Sequence, residues 1–210
     1  WMGDKIIEWD AETKEEIWSW NTFDHYDMID YDSLGGTWFE AWQADRYDWT
    51  HGNAIWFDEE NDDIYFSSRH LSRISKIDYP SGNIIWNIGH VFKSGDIDCG
   101  EDIGFSFQHS VTKLDNGNIL TFDNGNLSIP FLDQNEQTSR AIEIKVTDTD
   151  ILDAEVDWEY ILPAELYGYL SGNTQKLDNG NYLVTTIANG GTSLEISEDG
   201  EIMWQANYNL

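Results

Sequence analysis

Two hundred and ten residues carry 11 Lys and Arg against 40 Asp and Glu, a formal charge of −29, which excludes a nucleic-acid binder because phosphate recognition needs clustered cations. Hydrophobic residues make up 40% and aromatic residues 14%, eleven of them Trp, so an acidic disordered chain is excluded too and a packed core is expected. The single cysteine, Cys99, leaves no intrachain disulfide and no Cys-rich zinc site. No run approaches the ~18 apolar residues of a membrane span, so a soluble chain is expected. Asp4, Glu8 and Asp10 interrupt the start, unlike a signal peptide, and a chain opening at Trp1 reads as a mature or partial product.

In chain order, Lys5-Ile-Ile-Glu-Trp9 and Glu15-Glu-Ile-Trp18 read as the last two strands of a unit whose beginning is missing. A long loop, Asn21 to Asp48, follows. The first full unit runs from His51-Gly-Asn-Ala-Ile through a polar turn at Asp58 to Asp63 into Ile64-Tyr-Phe-Ser-Ser-Arg69. It continues with Ile74-Ser-Lys-Ile-Asp78 and Gly82-Asn-Ile-Ile-Trp86. After the loop His90 to Gly104, a second copy starts at Gln108-His109-Ser-Val-Thr and ends on Ala154-Glu-Val-Asp-Trp158. A third starts at Gly172-Asn-Thr-Gln-Lys and closes on Gly200-Glu-Ile-Met-Trp204. Each apolar run alternates with period two, as half-buried strands do, and Asn116-Gly117 and Asn179-Gly180 predict tight hairpins with two positive-φ positions. Four strands per copy, ending in an aromatic strand, predict an all-β fold, a β-propeller of four-stranded antiparallel blades. Three blades and a partial one close a ring poorly, so residues 1–210 are expected to form a single propeller domain that lacks N-terminal blades.

Four of the five His fall between His51 and His109, and these two open the innermost strands of consecutive blades, which line the channel. Arg69 is expected to close the second strand of one blade, and Asn53 to share a strand face with His51 by period two. Two imidazoles, an amide and a guanidinium suit a tetrahedral oxyanion. Taken singly, a strand-start His is more often a structural hydrogen-bonder, and an Arg an ion-pair partner among forty acids. The Asp-Asn-Gly-Asn segments read as turns and the Trp residues as blade packing. Asp96, Asp98 and Asp102, or Asp148, Asp150 and Asp153, are possible Ca²⁺ ligands, but neither set has EF-hand spacing and solvated loops are the reading taken. No metal and no cofactor is called for.

Asp48-Trp-Thr-His-Gly-Asn53, Ser67-Ser-Arg-His-Leu-Ser72, Ile84-Ile-Trp-Asn-Ile-Gly89, Phe107-Gln-His-Ser110 and Phe122-Asp-Asn-Gly125 together resemble the arylsulfate sulfotransferase family, in order and in spacing. The resemblance extends over nearly the whole chain, from Ile17-Trp-Ser-Trp20 and Asp24-His-Tyr-Asp27 to Gln175-Lys-Leu-Asp-Asn-Gly-Asn181. It implies a six-bladed propeller, about four blades of it in this chain, that moves a sulfuryl group from a phenolic sulfate to another phenol without a nucleotide sulfate donor. In the family a channel His becomes a transient sulfohistidine, and the similar position here is His109. The positions similar to its sulfate-binding residues are His51, Asn53 and Arg69. The resemblance also implies small-molecule partners, an aryl sulfate and a phenol, and a periplasmic or extracellular location. His25 is not equated with the additional His that the family draws from an earlier blade. Arg69, Arg73 and Lys76 are expected to offset the acidic surface near the channel. The alternative function is a non-catalytic extracellular propeller that binds or scaffolds through its long loops, either in an oligomer or with further blades.

Overall fold

The computed structural model describes residues 1–149 and 151–208. Among the described residues, fourteen strands form one two-stranded and three four-stranded antiparallel sheets. The first sheet pairs β1 (Lys5–Trp9) with β2 (Glu16–Asn21), the two strands expected of the incomplete unit. The second runs β3 (Gly52–Asp58), β4 (Asp63–Ser68), β5 (Arg73–Asp78), β6 (Ile84–Gly89); the third runs β7 (His109–Lys113), β8 (Ile119–Asp123), β9 (Arg140–Asp148), β10 (Leu152–Ile161). The fourth is β11 (Gly172–Lys176), β12 (Tyr182–Thr186), β13 (Thr192–Ile196), β14 (Ile202–Asn207). Within every sheet spatial order is chain order. The opening strands β3, β7 and β11 lie side by side, so the sheets fan outward from a shared seam in the manner of blades.

Period-two alternation decides which residue serves which interface. On β4, Tyr65 joins a core shared with the third sheet, whereas Ile64 and Phe66 face Trp20, Tyr26 and Trp49 on the opposite side. On β8, Ile119 faces back toward the second sheet while Leu120 and Phe122 face Tyr182, Val184 and Leu194 of the fourth. The second strands β4 and β8 bury both faces, whereas β12 alternates between buried and half-buried positions.

Trp residues of the last strands reach across to the next sheet. The Trp18 indole donates to the Pro80 carbonyl at 2.8 Å, and that of Trp158 to the Glu198 carbonyl at 3.0 Å while stacking on Tyr182 with centroids 3.6 Å apart. Trp204, in the corresponding place on β14, is half exposed.

The hairpins differ from expectation in one detail. Gly117 and Gly180 have φ of 89° and 87°, but Asn116 and Asn179 do not adopt positive φ. Each Asn instead accepts, through its side-chain oxygen, the N–H two residues on, and the Gly alone supplies the left-handed position of a three-residue loop. The long loop after β2 also contains two helices, α1 (Thr22–His25) and α2 (Thr37–Ala44). Asn21 caps the first through Phe23 N at 3.0 Å. The buried Asp32 carboxylate takes the N–H groups of Leu34, Gly35 and Thr37 ahead of the second. Such capping chemistry is local and short, and the strand-turn pattern hides it. No helix among the described residues is long and apolar enough to cross a membrane.

Gly172, at the head of β11, sits against Phe122; a Cβ there would stand 2.3 Å from the Phe122 ring. Gly172→Ala is therefore expected to lower stability by about 1–3 kcal/mol through overpacking, read as a lowered urea midpoint with unchanged m-value.

Candidate active site

At the head of β3 the backbone is bent twice. His51, one residue ahead of the strand, has φ of 49°. Asn53 is the extra residue of a bulge, since Gly52 pairs with Ser68 and Ala54 with Ser67. The expected face-sharing of His51 and Asn53 by simple alternation is thus replaced by a bulge that re-aims both side chains. Asp4 holds the bend, its carboxylate accepting from Gly52 N at 2.6 Å and from the Thr50 hydroxyl. Asp48 holds the rings: its carboxylate meets His51 Nδ1 at 2.5 Å, and its backbone carbonyl meets His70 Nδ1 at 2.6 Å. The two imidazoles lie face to face, centroids 4.6 Å apart and tilted by 33°.

Arg69 does not close β4. It opens a 3₁₀ turn, Arg69–Leu71, just after the strand, tied back by Arg69 N to His51 O and His70 N to Thr50 O. Its guanidinium lies over the Phe107 ring at 4.7 Å and donates through Nη2 to the Tyr169 carbonyl at 3.2 Å; Nε is buried without a partner. Burial pushes its pKa down, while an Arg side chain keeps its charge in proteins. Among the described residues Arg69 has no carboxylate within ion-pair distance, whereas the other buried guanidiniums do: Arg73 pairs with Asp30 at 2.8 Å and Arg140 with Asp123 at 2.8 Å. Arg73 and Lys76, the latter paired with Asp63 at 2.9 Å, are neutralised inside the sheets and do not offset the acidic surface as expected.

His109 opens β7 between two left-handed residues, Phe107 (φ 55°) and Ser110 (φ 65°), at a second bulge. Its Nδ1 is 2.8 Å from Asn124 Oδ1. Asn124 is fully buried and its Nδ2 donates to the Gly168 carbonyl, so its oxygen must be the end that faces His109. Nδ1 of His109 consequently carries the proton and Nε2 keeps its lone pair. Burial, with Arg69 and His51 adding to it, pushes the His109 pKa below that of free imidazole. Asn53 donates through Nδ2 to the Gln108 carbonyl at 2.7 Å, and its Oδ1 is buried without a partner.

The structure thus brings His51, Arg69 and His109 within electrostatic reach of one another and ties Asn53 to the residue before His109. Asp48, His70, Gln108 and Asn124 stand inside the sequence motifs, but nothing in the sequence assigns them a role. The signals were the Asp three residues before His51, the His beside Arg69, and the Asn of Phe122-Asp-Asn-Gly. His25 stacks on Trp20 at 4.7 Å, and His90 on Phe131 at 4.3 Å, both in packing roles. Of the acidic loops, Asp98 accepts Asn87 N at 2.7 Å; the other set includes residue 150, outside the described residues. Asp48, His51 and His70 offer ligand atoms all within 4.8 Å. A tetrahedral ion holds its ligands at about 2.0–2.1 Å, hence roughly 3.3 Å from each other, so the 2.5 Å Asp48–His51 contact is a hydrogen bond and not half of a coordination shell.

Comparison with known proteins agrees with the resemblance. The arylsulfotransferase (ASST) family model matches residues 1–208; the chain belongs to that family. No curated protein matches it. Among solved structures it is similar to a protein of unknown function from Bacteroides caccae, at 15% identity and a TM-score of 0.55 over 97% of this chain and 54% of that one. It is also similar to a catalytically inactive virginiamycin B lyase from Staphylococcus aureus with quinupristin (16%, 0.46, 78% and 43%) and to a streptogramin B lyase (18%, 0.44, 77% and 42%). The chain spans about half the length of these structures.

Burial pushes the His70 pKa down to about 4, against about 6.5 for an unfolded His. The unfolded chain takes up a proton that the folded one refuses, so stability is complete above pH about 6.5 and is lost as pH falls toward about 4. His70→Gln, which keeps an N–H donor and cannot titrate, is expected to remove up to about 3 kcal/mol of that acid-side loss, read from urea unfolding at a series of pH values.

Proposed function

We propose that this member of the arylsulfotransferase family moves a sulfuryl group from an aryl sulfate to a phenolic acceptor through a sulfohistidine at His109, with no nucleotide donor and no cofactor. One juxtaposition carries the reading: a buried guanidinium with no carboxylate partner, Arg69, in the field of an imidazole whose Nε2 lone pair is left free, His109. An unpaired buried cation is costly, and in a chain of net charge −29 its isolation suits an anionic ligand.

In this reading Arg69 and the second Nδ2–H of Asn53 hold the sulfate oxygens. The His109 Nε2 lone pair attacks sulfur, the S–O bond to the aryl oxygen breaks, and His51 protonates the departing oxygen. Charge spreads over three equatorial oxygens in such transfers, so fixed positive donors supply most of the acceleration. The acceptor phenol then returns its proton to His51 and takes the sulfuryl group from His109.

The sheets are proposed as blades of a six-bladed ring, of which this chain supplies about four. The half-exposed Trp204, whose counterparts Trp18 and Trp158 each bond to a following sheet, supports a further blade beside β14, from a longer protein or a second copy. A periplasmic or extracellular site is proposed with the family. The second reading, a non-catalytic binding or scaffolding propeller, is favoured by one feature: the exposed Trp38, Phe39 and Trp42 of α2.

Incubation with 4-nitrophenyl sulfate and no acceptor, on a chain that completes the ring, separates the two by intact-mass spectrometry. One labile sulfuryl adduct is expected on the wild type and none on His109→Asn; an adduct that persists in His109→Asn would overturn the nucleophile assignment. Arg69→Ala is expected to lower kcat/KM by about 10²–10³, and Arg69→Lys, which keeps charge but loses the fork, to restore only part of it. Because the His109 pKa lies below that of free imidazole, activity is expected to persist below pH about 6.5 before falling as the ring protonates.

A further inference from the structure

We propose that Asp48 is a positioning residue that fixes the His51 imidazole so that protons pass to and from the aryl oxygen through its Nε2 alone. The inference rests on the sulfuryl-transfer reading and extends it to a residue that touches neither sulfur nor the attacking nitrogen.

Three observations carry it. The only hydrogen bond of the His51 ring among the described residues is the one from Nδ1 to the Asp48 carboxylate, at 2.5 Å, so Nδ1 keeps its proton and Nε2 is the nitrogen left to exchange one. The ring face is set by His70, 4.6 Å away, and His70 is itself held by the Asp48 backbone carbonyl at 2.6 Å. One residue therefore fixes both the edge and the face of the working imidazole. Finally, the backbone around the pair is held: His51 sits at φ 49° and the following bulge is clamped by Asp4, which orients the His51 ring toward Asp48 although the two side chains are 41% and 40% exposed.

The proton balance follows. In the first half-reaction His51 enters with a proton on each nitrogen, the one on Nδ1 held by the Asp48 carboxylate. The N–S bond to His109 forms as the S–O bond breaks; the bonding pair leaves on the aryl oxygen, and the Nε2 proton moves onto it, giving phenol and neutral His51 with its proton on Nδ1. In the second half the acceptor hydroxyl gives its proton to Nε2, its oxygen forms the new S–O bond, and the N–S pair returns to His109. The groups around the His51 ring are Asp48, His70, Arg69 and His109. The hydrogen bond from His51 holds the Asp48 carboxyl below the usual carboxylate range, which keeps it ionised throughout. His70, pushed down to about 4, stays neutral and takes no part in the transfer.

The test uses Asp48→Asn with a graded series of donors. Protonation matters most when the leaving phenolate is basic, so the drop in kcat for phenyl sulfate is expected to exceed that for 4-nitrophenyl sulfate by about tenfold or more, with KM little changed and partial recovery in Asp48→Glu. A loss that is equal across donors, or confined to KM, would overturn the proposal, since a merely structural role cannot depend on the leaving group. Imidazole ¹⁵N spectra give a readout that needs no turnover: a proton fixed on His51 Nδ1 in the wild type and released in Asp48→Ala, which has no acceptor, is expected, and a proton resident on Nε2 in the wild type would overturn it. A wild type that forms no adduct would sink the transfer reading and the proton route with it, while the spectra would still show whether Asp48 holds the ring.

Discussion

The side chain of Gln108 fixes one sheet against the next at the point where chemistry is proposed. Fully buried, it donates to Ser67 Oγ at 2.9 Å and to the Arg73 carbonyl at 3.0 Å, both in the second sheet, while its own backbone carbonyl accepts from Asn53. Phe107 N adds a bond to the Ser72 hydroxyl. Phe107 and Gln108 are thus anchored to Ser72 and to strands β3, β4 and β5 just before β7 begins at His109. His109 cannot shift relative to Arg69 and His51 without breaking a buried polar network, and such networks are costly to leave half satisfied. The two bulges and the left-handed residues at His51, Phe107 and Ser110 persist because this network over-determines them.

Charge is distributed by the same logic. Four of the eleven cations are spent on largely buried pairs: Arg73 with Asp30, Lys113 with Asp58, Lys76 with Asp63, Arg140 with Asp123 and Glu159. These pairs weld strands and hairpins whose acids would otherwise repel. Arg69 stands outside that scheme, facing an aromatic ring and a carbonyl instead of a carboxylate. A local positive field inside a strongly acidic molecule is possible because low-dielectric walls keep the surface charge from cancelling it.

The repeat was legible in the sequence because strand alternation and glycine turns are local: β11 spans Gly172–Lys176, the very segment that opens the third copy, and β1 spans Lys5–Trp9 as its run of residues marks. The family motifs carried His51, Asn53, Arg69 and His109 together. Less legible was anything that depends on a bulge or a cap. Alternation misjudges Asn53 because an extra residue shifts the phase of the strand, and α2 rests on Asp32, a capping carboxylate buried among other loops. The partners that tune the imidazoles, Asp48 and Asn124, are invisible as partners because proximity of Asn124 to His109 arises only when β7 and β8 pair, fifteen residues apart.

The sheets are also polarised along their strands. His51, His109 and Gly172 stand at the entry ends of β3, β7 and β11, whereas the glycine loops at Gly117 and Gly180 close the opposite ends, about 17 Å away for a five-residue strand. One rim is crowded with bulges and buried polar bonds; the other carries exposed turns that ask for a left-handed glycine and the Asn side chain before it. The far rim is therefore the natural handle for tethering: a fluorophore, an affinity peptide or a surface linkage introduced at the exposed Asp115 or Asp178 leaves the opposite rim untouched.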